Sequence, residues 1–139
     1  MNERTVVIDT SALVASHERE QHAELGRLHT RSDLIAPTLL AFEVGQVVHS
    51  KKPASFGDTP EERAALVETL LGGIDLVVAD ERSWRRIGEL AEEEGLSFYD
   101  AAYLELAEAR GATLLTEDEK LAKCAVRRIG KKRVMRMTK

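Results

Sequence analysis

The chain has 139 residues, of which 20 are basic and 24 acidic, and its formal net charge is -4. This length predicts one domain over residues 1–139, with a core large enough to fold without disulfides or structural metals. Cys124 is the single cysteine, which excludes an intrachain disulfide and a cysteine-based zinc site. Because the sequence lacks a long apolar run and a signal-peptide pattern, we expect a cytoplasmic protein.

The charge is unevenly distributed along the sequence. Nine basic residues and no acidic one lie in 120–139, which leaves eleven basic against 24 acidic residues, a net charge of -13, in 1–119. This asymmetry suits an acidic body that attracts metal ions and a basic end that attracts a phosphate backbone. It equally suits a solvated helix face followed by an edge strand, because charge runs alone are weak signals.

Short apolar runs alternate with helical segments along the chain. The first run, Thr-Val-Val-Ile at 5–8, is typical of a central parallel strand that is buried on both faces. Further strands are predicted at 34–36, 74–79, 112–115 and 133–137, and a loop at 51–60. Helices are predicted at 18–30, 38–50 with Thr38 as N-cap, 61–71, 81–94, 97–110 and 116–126. The alternation predicts an α/β fold whose parallel sheet is covered by helices on both faces and binds ligands at the carboxyl ends of its strands.

Two acidic residues follow predicted strands. Asp9 comes directly after the first strand, and Asp118 lies three residues beyond the end of the fourth. Both positions also suit a helix start: Asp9 would cap a short helix, and Asp118 would lie in a first turn with a capping box formed by Thr116 and Glu119. Glu117 and Glu119 compete with Asp118 for any functional role.

Two further acidic residues lie on predicted helices. Asp100 follows Ser97 at capping-box spacing, so it is either a helix-start residue or an acid aimed at the open end of the sheet. Glu43 lies between Leu39 and Val47 on the apolar arc of its helix, which turns its side chain towards the core. A buried carboxylate is costly unless it is paired or bound to metal, so Glu43 is a functional acid or has a hidden partner such as an arginine or a backbone donor.

Together the four acids predict a metal centre. Grouped carboxylates repel one another, so a cation is needed to hold them in one pocket, and hard oxygen donors select Mg²⁺ or Mn²⁺. The four histidines do not have metal-ligand spacing and are expected at the surface: His17, His22, His29 and His49.

Four short segments, taken in order, resemble the PIN domain, and within that family the VapC-type toxins of toxin–antitoxin pairs. They are Val-Ile-Asp-Thr-Ser-Ala-Leu at 7–13, Glu43 in the helix after the second strand, Tyr-Asp-Ala-Ala-Tyr at 99–103 and Leu-Leu-Thr-Glu-Asp at 114–118. The resemblance extends from residue 6 to about residue 122. It implies a three-layer α/β/α sandwich with a mainly parallel sheet of four to five strands.

The resemblance implies a catalytic and metal-binding role for each acid. Asp9 is similar to the first metal ligand, Glu43 to the second acid, and Asp100 to the third, which is often the other direct ligand. Asp118 is similar to the fourth, which is usually reached through water or a second ion. The implied activity is a magnesium-dependent endoribonuclease that hydrolyses RNA phosphodiesters and leaves 5′-phosphate and 3′-hydroxyl ends.

Supporting residues and partners are implied in the same way. Ser11 and Thr116 match hydroxyl positions that brace the acids or contact a phosphate. A cognate antitoxin would place a basic residue in the acidic pocket, and a homodimer is typical. The predicted helices at 61–71 and 81–94 are either contact surfaces or helices whose apolar faces belong to the ordinary core. The candidates for holding the RNA backbone are Lys120, Lys123, Arg127, Arg128, Arg85 and Arg86. The arginines could equally pair with Glu89 or other neighbours.

Three alternative functions remain open on the sequence. The chain could be a PIN-type RNA-processing nuclease without an antitoxin. It could be a non-catalytic RNA-binding module in which the acids are caps and surface charges. Another magnesium phosphotransfer enzyme fits less well, because a haloacid-dehalogenase-type hydrolase needs an acid where Ser11 stands, and a response-regulator receiver needs an adjacent acidic pair near the first strand.

Overall fold

Five parallel strands form one sheet in the computed structural model, which describes residues 4–51 and 54–137. The strands are β1 (Arg4–Ile8), β2 (Ser32–Pro37), β3 (Asp75–Val77), β4 (Thr113–Leu115) and β5 (Val134–Met135), in the spatial order β3-β2-β1-β4-β5. Every pairing is parallel. Val6, Val7 and Ile8 of the central strand are fully buried, as a strand covered on both faces requires. The prediction of a parallel α/β sheet is confirmed.

Helices cover both faces of this sheet. The helices of the described residues are α1 (Thr10–Glu18), α2 (His22–Arg31), α3 (Leu39–Lys51), α4 (Pro60–Leu71), α5 (Glu81–Glu94), α6 (Phe98–Arg110) and α7 (Glu119–Ile129). The first four pack against one another and β2, whereas α6 lies against β1, β2 and β4 and contacts both α5 and α7. This is the expected three-layer α/β/α sandwich. In residues 4–51 and 54–137, no helix is long and apolar enough to cross a lipid bilayer.

Local sequence signals explain the helices that were predicted most closely. Asp80 caps α5 by accepting a hydrogen bond from the Ser83 N–H, and Ser97 caps α6 by accepting one from the Asp100 N–H. Gly95 and Gly111 end these helices in the left-handed conformation, with φ of 67° and 60°. Caps, periodicity and a terminal glycine therefore agree over this stretch of the chain.

The predicted helix at 18–30 is wrong at its amino end. The structure has two helices there, because α1 ends at Glu18 and α2 begins at His22. Between them Glu20 has a positive φ of 54°, which interrupts the helical path. Gln21 is buried at the start of α2, so the bend is also a packing site.

The capping box predicted for the last helix is also wrong. Asp118, rather than Thr116, caps α7, because its carboxylate accepts a hydrogen bond from the Leu121 N–H at 2.8 Å. The Thr116 hydroxyl instead donates to Asp9. The helix consequently runs from Glu119 to Ile129, three residues later at each end than predicted.

The remaining boundaries shift by a few residues. The strands β3 and β5 are shorter than predicted, and β2 begins earlier and includes Pro37. The loop predicted at 51–60 contains a 3₁₀ turn at Ala54–Phe56. Residues 1–3 of the predicted domain, Pro53 of that loop, and Lys139 of the basic tail lie outside the described residues.

All four histidines were expected at the surface, but only two of them are exposed. His22 and His49 are exposed, but His17 and His29 are half-buried. The His17 ring packs 5.3 Å from the His22 ring and 5.8 Å from Phe56, measured between ring centroids. Its Nε2 lies 2.6 Å from the Ser55 carbonyl oxygen, which ties the 3₁₀ turn to α1.

Candidate active site

The four predicted acids lie at the carboxyl edge of the sheet, where its strand order reverses. The chain proceeds outward from β1 through β2 to β3, and then returns to the other side of β1 to form β4 and β5. Asp9 follows β1, and Asp118 lies beyond the neighbouring β4, whose Leu115 pairs with Ile8. Such a reversal opens a crevice between adjacent connections, which is where α/β sheets bind ligands.

Asp9 is the most buried of the four acids, with 4% of its surface exposed. It caps α1 through a 3.0 Å hydrogen bond from the Ala12 N–H to Oδ1, and Ser11 Oγ donates to the same oxygen at 2.7 Å. Thr116 Oγ1 donates to the other oxygen, Oδ2, at 2.5 Å. The carboxylate is thus held by donors from two distant segments, since Ser11 and Thr116 are 105 residues apart in sequence.

The two hydroxyls connect Asp9 to the backbone before α7. The Glu117 N–H donates to Ser11 Oγ at 2.9 Å, and the Asp118 N–H donates to Thr116 Oγ1 at 3.0 Å. Each hydroxyl therefore accepts from a backbone amide and donates to Asp9, so that both are oriented from both sides. Ser11 and Thr116 act here as braces of the acid.

Burial and a neighbouring charge oppose the ionisation of Asp9. The pKa of Asp9 is raised from 3.8 to about 6, and burial is the largest cause. The charge of Asp118 also acts to raise it, while the hydrogen bonds from Thr116, Ala12 and Ser11 act to lower it. Asp9 is therefore largely ionised at neutral pH, but at a free-energy cost that a cation would relieve.

Glu43 projects from α3 towards the same edge and is half-buried. Its Oε1 accepts hydrogen bonds from Tyr103 Oη at 2.6 Å and from Thr10 Oγ1 at 2.9 Å. The sequence left open which group pairs with Glu43. Its partners are hydroxyls, rather than an arginine or a backbone donor. Since Thr10 follows Asp9 directly, its hydrogen bond to Glu43 brings Glu43 close to Asp9.

Asp100 and Asp118 complete the group. Burial raises the pKa of Asp100, and the negative charges of Asp118 and then Glu43 raise it further. Asp118 also raises the pKa of Asp9, so it lies within electrostatic reach of acids on both sides. The four acids come from the ends of two strands and from two helices, and they share one electrostatic environment.

The oxygen-rich chemistry of this group fits a hard divalent cation. As the side chains stand, no three acids, histidines or cysteines within the described part of the chain are close enough to surround one ion. Mg²⁺, however, usually keeps several waters and takes only one or two protein carboxylates. The arrangement that fits is therefore a pair of these acids together with water molecules.

Sequence reasoning missed two residues of the site, Thr10 and Tyr103. Burial and the hydrogen bond to Glu43 raise the pKa of Tyr103, so its hydroxyl remains protonated and continues to donate. Both residues lay within the motifs that were singled out, and Tyr103 is one helical turn after Asp100. That spacing was the available signal, because residues three apart share a helix face.

Glu117, which the sequence offered as an alternative to Asp118 for a functional role, has a structural role. Its Oε1 accepts from Arg19 at 2.8 Å, and its Oε2 accepts from the Met137 N–H at 2.8 Å. It therefore ties the ends of α1 and β5 together. Glu119 is exposed in the first turn of α7.

Several basic residues that were candidates for RNA contact are already paired. Arg86 bonds to Glu89 and Glu108, so the alternative of an acidic partner is correct for it. Arg127 pairs with Glu94 at 2.8 Å, and Arg128 reaches the same residue at 3.4 Å.

Of the remaining candidates for RNA contact, one lies beside the acids. Lys120 Nζ donates to the Gly95 carbonyl oxygen at 2.6 Å, and its charge lowers the pKa of Asp100, which makes it a cation beside the acids. Lys123 and Arg85 are exposed.

An apolar concavity of about 360 Å³ adjoins the acids on the α3 side. Thr10 and Glu43 form its border with the site, and two aromatic rings line it, those of Phe42 and Tyr99. These rings are 77% and 59% exposed. Each precedes a predicted catalytic acid in sequence, so the acidic site has an aromatic surface at one side.

Comparison with known protein families decides the family. The family model described as the PIN domain matches residues 6–126. The chain belongs to the PIN-domain family. This match confirms the resemblance that the sequence motifs indicated, and it includes all four acids. Among curated proteins, no sequence matches this PIN domain.

Two solved structures share the PIN fold of this chain. PAE2754 from Pyrobaculum aerophilum is 22% identical, with a TM-score of 0.71, and the alignment covers 95% of this chain and 83% of that one. VapBC2 from Rickettsia felis, bound to a DNA fragment from their promoter, is 18% identical with a TM-score of 0.69, covering 96% of this chain and 99% of that one. At these identities the likeness establishes the fold alone.

Proposed function

We propose that this PIN domain is a magnesium-dependent endoribonuclease that acts as the toxin of a toxin–antitoxin pair. PIN domains are generally nucleases, and the observation that carries the proposal is the gathering of Asp9, Glu43, Asp100 and Asp118 at the strand-order reversal. Burial, together with the charges of neighbouring acids, raises the pKa of both Asp9 and Asp100, which favours the binding of a cation there.

The proposed catalytic roles follow from which carboxylate oxygens are engaged. Asp9 is held rigidly by its hydroxyl braces and offers the remaining lone pair of Oδ2 to a metal ion. Glu43 Oε1 is fixed by Tyr103 and Thr10, and Oε2 is the oxygen left to orient a water. Asp118 uses Oδ1 as a helix cap, which leaves Oδ2 as the oxygen to take a water or a second ion.

A divalent ion, when bound, supplies charge neutralisation for the phosphate and activation of a water. The residues of the chain do the positioning. Asp9 and Asp100 would hold the ion, while Lys120, the cation beside Asp100, would contact a phosphate oxygen. Tyr103 keeps its proton, so its part is to hold Glu43 rather than to accept a proton from water.

Cleavage of RNA by the purified protein tests this proposal. Labelled RNA should be cut internally with Mg²⁺ or Mn²⁺ and remain intact with EDTA. Asp9→Asn and Asp100→Asn should each abolish cleavage while circular dichroism shows an unchanged fold. Asp75→Asn, at an exposed aspartate on the edge strand β3 outside the group of four acids, should cut like the wild type. Undiminished cleavage in both site variants would remove the assignment.

We also propose two protein partners for this chain, an antitoxin and a second copy of the chain in a homodimer. The VapBC2 complex of Rickettsia felis shares the fold of this chain, which supports an antitoxin partner. Large apolar side chains at the surface support protein contacts: Phe42 is 77%, Val78 78% and Trp84 55% exposed. Trp84 lies on α5, one of the two helices that the sequence suggested as a contact surface.

Expression in a bacterial host separates this function from its alternatives. A toxin should arrest growth through Asp9, and co-expression of a small protein from a neighbouring gene should restore it. Cleavage without arrest or rescue would indicate an RNA-processing nuclease without an antitoxin. RNA binding with no cleavage under any metal would indicate a non-catalytic module. Light scattering of the purified chain would report the dimer directly.

A further inference from the structure

A second concave surface, remote from the aromatic one, lies between α7 and the edge strand β5. It has a volume of about 480 Å³, and we call it the basic groove. Four cations line it: Lys123, Arg127, Lys131 and Arg136. Its apolar floor includes Val126 and Val134, and no acidic residue is among its lining residues in the described part of the chain.

Three of these cations have no acidic partner. Arg127 is neutralised by its 2.8 Å ion pair with Glu94. Lys123, Lys131 and Arg136 are exposed, and residues 4–51 and 54–137 provide no carboxylate within ion-pair distance of them. The basic groove therefore carries uncompensated positive charge in a chain whose first 119 residues have a net charge of -13.

The elements that form the basic groove begin or end beside the acidic site. The helix α7 begins directly after Asp118, and Lys123 lies in its second turn. Arg136 directly follows β5, at the same carboxyl edge of the sheet as the acids, while Lys131 lies before this strand. The three unpaired cations thus follow the outer edge of the sheet from its amino end to the edge that carries the site.

We propose that the basic groove binds the sugar–phosphate backbone of a single RNA strand next to the cleaved bond, an inference that rests on the proposed nuclease function. Four clustered acids repel a phosphate, so the substrate needs attraction from charges nearby. The basic groove is the surface that supplies it, through Lys123, Lys131 and Arg136. A groove that contacts RNA phosphates through lysine and arginine side chains, above an apolar floor, binds RNA largely without regard to its sequence.

Binding of RNA without cleavage provides the test. The probe is a short fluorescein-labelled single-stranded RNA of mixed sequence, with fluorescence anisotropy measured in EDTA over a series of salt concentrations. Each phosphate contact contributes about 0.7 to the slope of log affinity against log salt for a single strand. Replacing Lys123, Lys131 and Arg136 together by glutamine should therefore flatten the slope by about 2 and weaken binding at low salt.

Lys132→Gln is the matched control. This lysine is exposed in the same 3₁₀ turn as Lys131 but does not line the basic groove. It should leave both the affinity and the slope close to the wild-type values. Equal losses in Lys132→Gln and Lys131→Gln would show that RNA responds to overall charge, and would overturn the proposal.

Cleavage kinetics distinguish this proposal from the nuclease assignment. If both hold, the triple variant should raise KM and leave kcat nearly unchanged, because the basic groove binds ground state and transition state alike. Groove-dependent RNA binding by a wild type that cleaves nothing would support the basic groove and refute the nuclease. Cleavage with the same KM in wild type and triple variant would refute the basic groove alone. A triple variant that binds RNA normally but loses its antitoxin would assign the basic groove to an acidic protein segment instead.

Discussion

Replacing Asp9 by asparagine should stabilise the metal-free protein, although it removes a central acid of the proposed site. Asp9 is 4% exposed, and burial together with the charge of Asp118 raises its pKa from 3.8 to about 6. Asparagine has the same shape without the charge. Ser11 Oγ and Thr116 Oγ1 lie 3.2 Å apart, so Thr116 can turn its proton towards Ser11 and accept from the new amide. The substitution thus removes a buried charge while the hydrogen bonds are kept.

The magnitude follows from the two pKa values. A folded-state pKa above the unfolded one means that the folded protein binds the proton more tightly, so the free energy of unfolding falls as pH rises from about 4 to about 7. Since one pKa unit corresponds to ~1.4 kcal/mol, the cost of the ionised Asp9 reaches about 3 kcal/mol at neutral pH. Asp9→Asn should recover most of this cost at neutral pH and almost none of it near pH 4.

Urea unfolding in EDTA, followed by circular dichroism at a series of pH values, measures this effect. The difference in unfolding free energy between Asp9→Asn and wild type should grow with pH in the window between the two pKa values. Asp75→Asn, which removes an exposed carboxylate, should show no such growth. An Asp9→Asn variant that is less stable than the wild type at neutral pH, or a difference independent of pH, would refute the argument from buried charge.

Three further predictions concern the same acids. Mg²⁺ affinity, measured by calorimetry, should fall as pH falls through about 6, because protons then occupy Asp9. Asp100, whose pKa is also raised, loses its negative charge as the pH falls as well. A Mg²⁺ affinity that stays constant with pH above pH 5 would contradict this. Asp118→Ser should keep the cap of α7, whereas Asp118→Ala should lower the free energy of unfolding by about 1 kcal/mol more, measured by thermal or urea unfolding. Both variants should weaken Mg²⁺ binding equally if the carboxylate faces the ion. Tyr103→Phe should cost about 1 kcal/mol of stability and lower kcat, because Glu43 keeps only Thr10 as a donor; unchanged cleavage would show that Glu43 needs no such positioning.

Local patterns of residues were sufficient where one physical signal dominated. The buried run of β1, the helix at Glu81–Glu94 and the start of α6 after Ser97 all agree with the sequence, because periodicity, caps and terminal glycines act over a few residues. Elsewhere the local signal was ambiguous. Thr116 and Asp118 both look like N-caps, and the structure gives that role to Asp118.

The choice between those caps required the tertiary structure, because Thr116 is engaged by Asp9, a residue 107 positions earlier in the chain. The same holds for Glu43, whose partners Thr10 and Tyr103 lie 33 and 60 positions away. The amino-acid sequence determined which residues are acidic, the approximate positions of most strands and helices, and that the sheet is parallel. The packing of β1 beside β4, with α3 and α6 at the same edge, determined which hydroxyl meets which carboxylate. A hydrogen bond depends on a distance in space, and residues far apart in sequence acquire that distance only when the sheet has assembled.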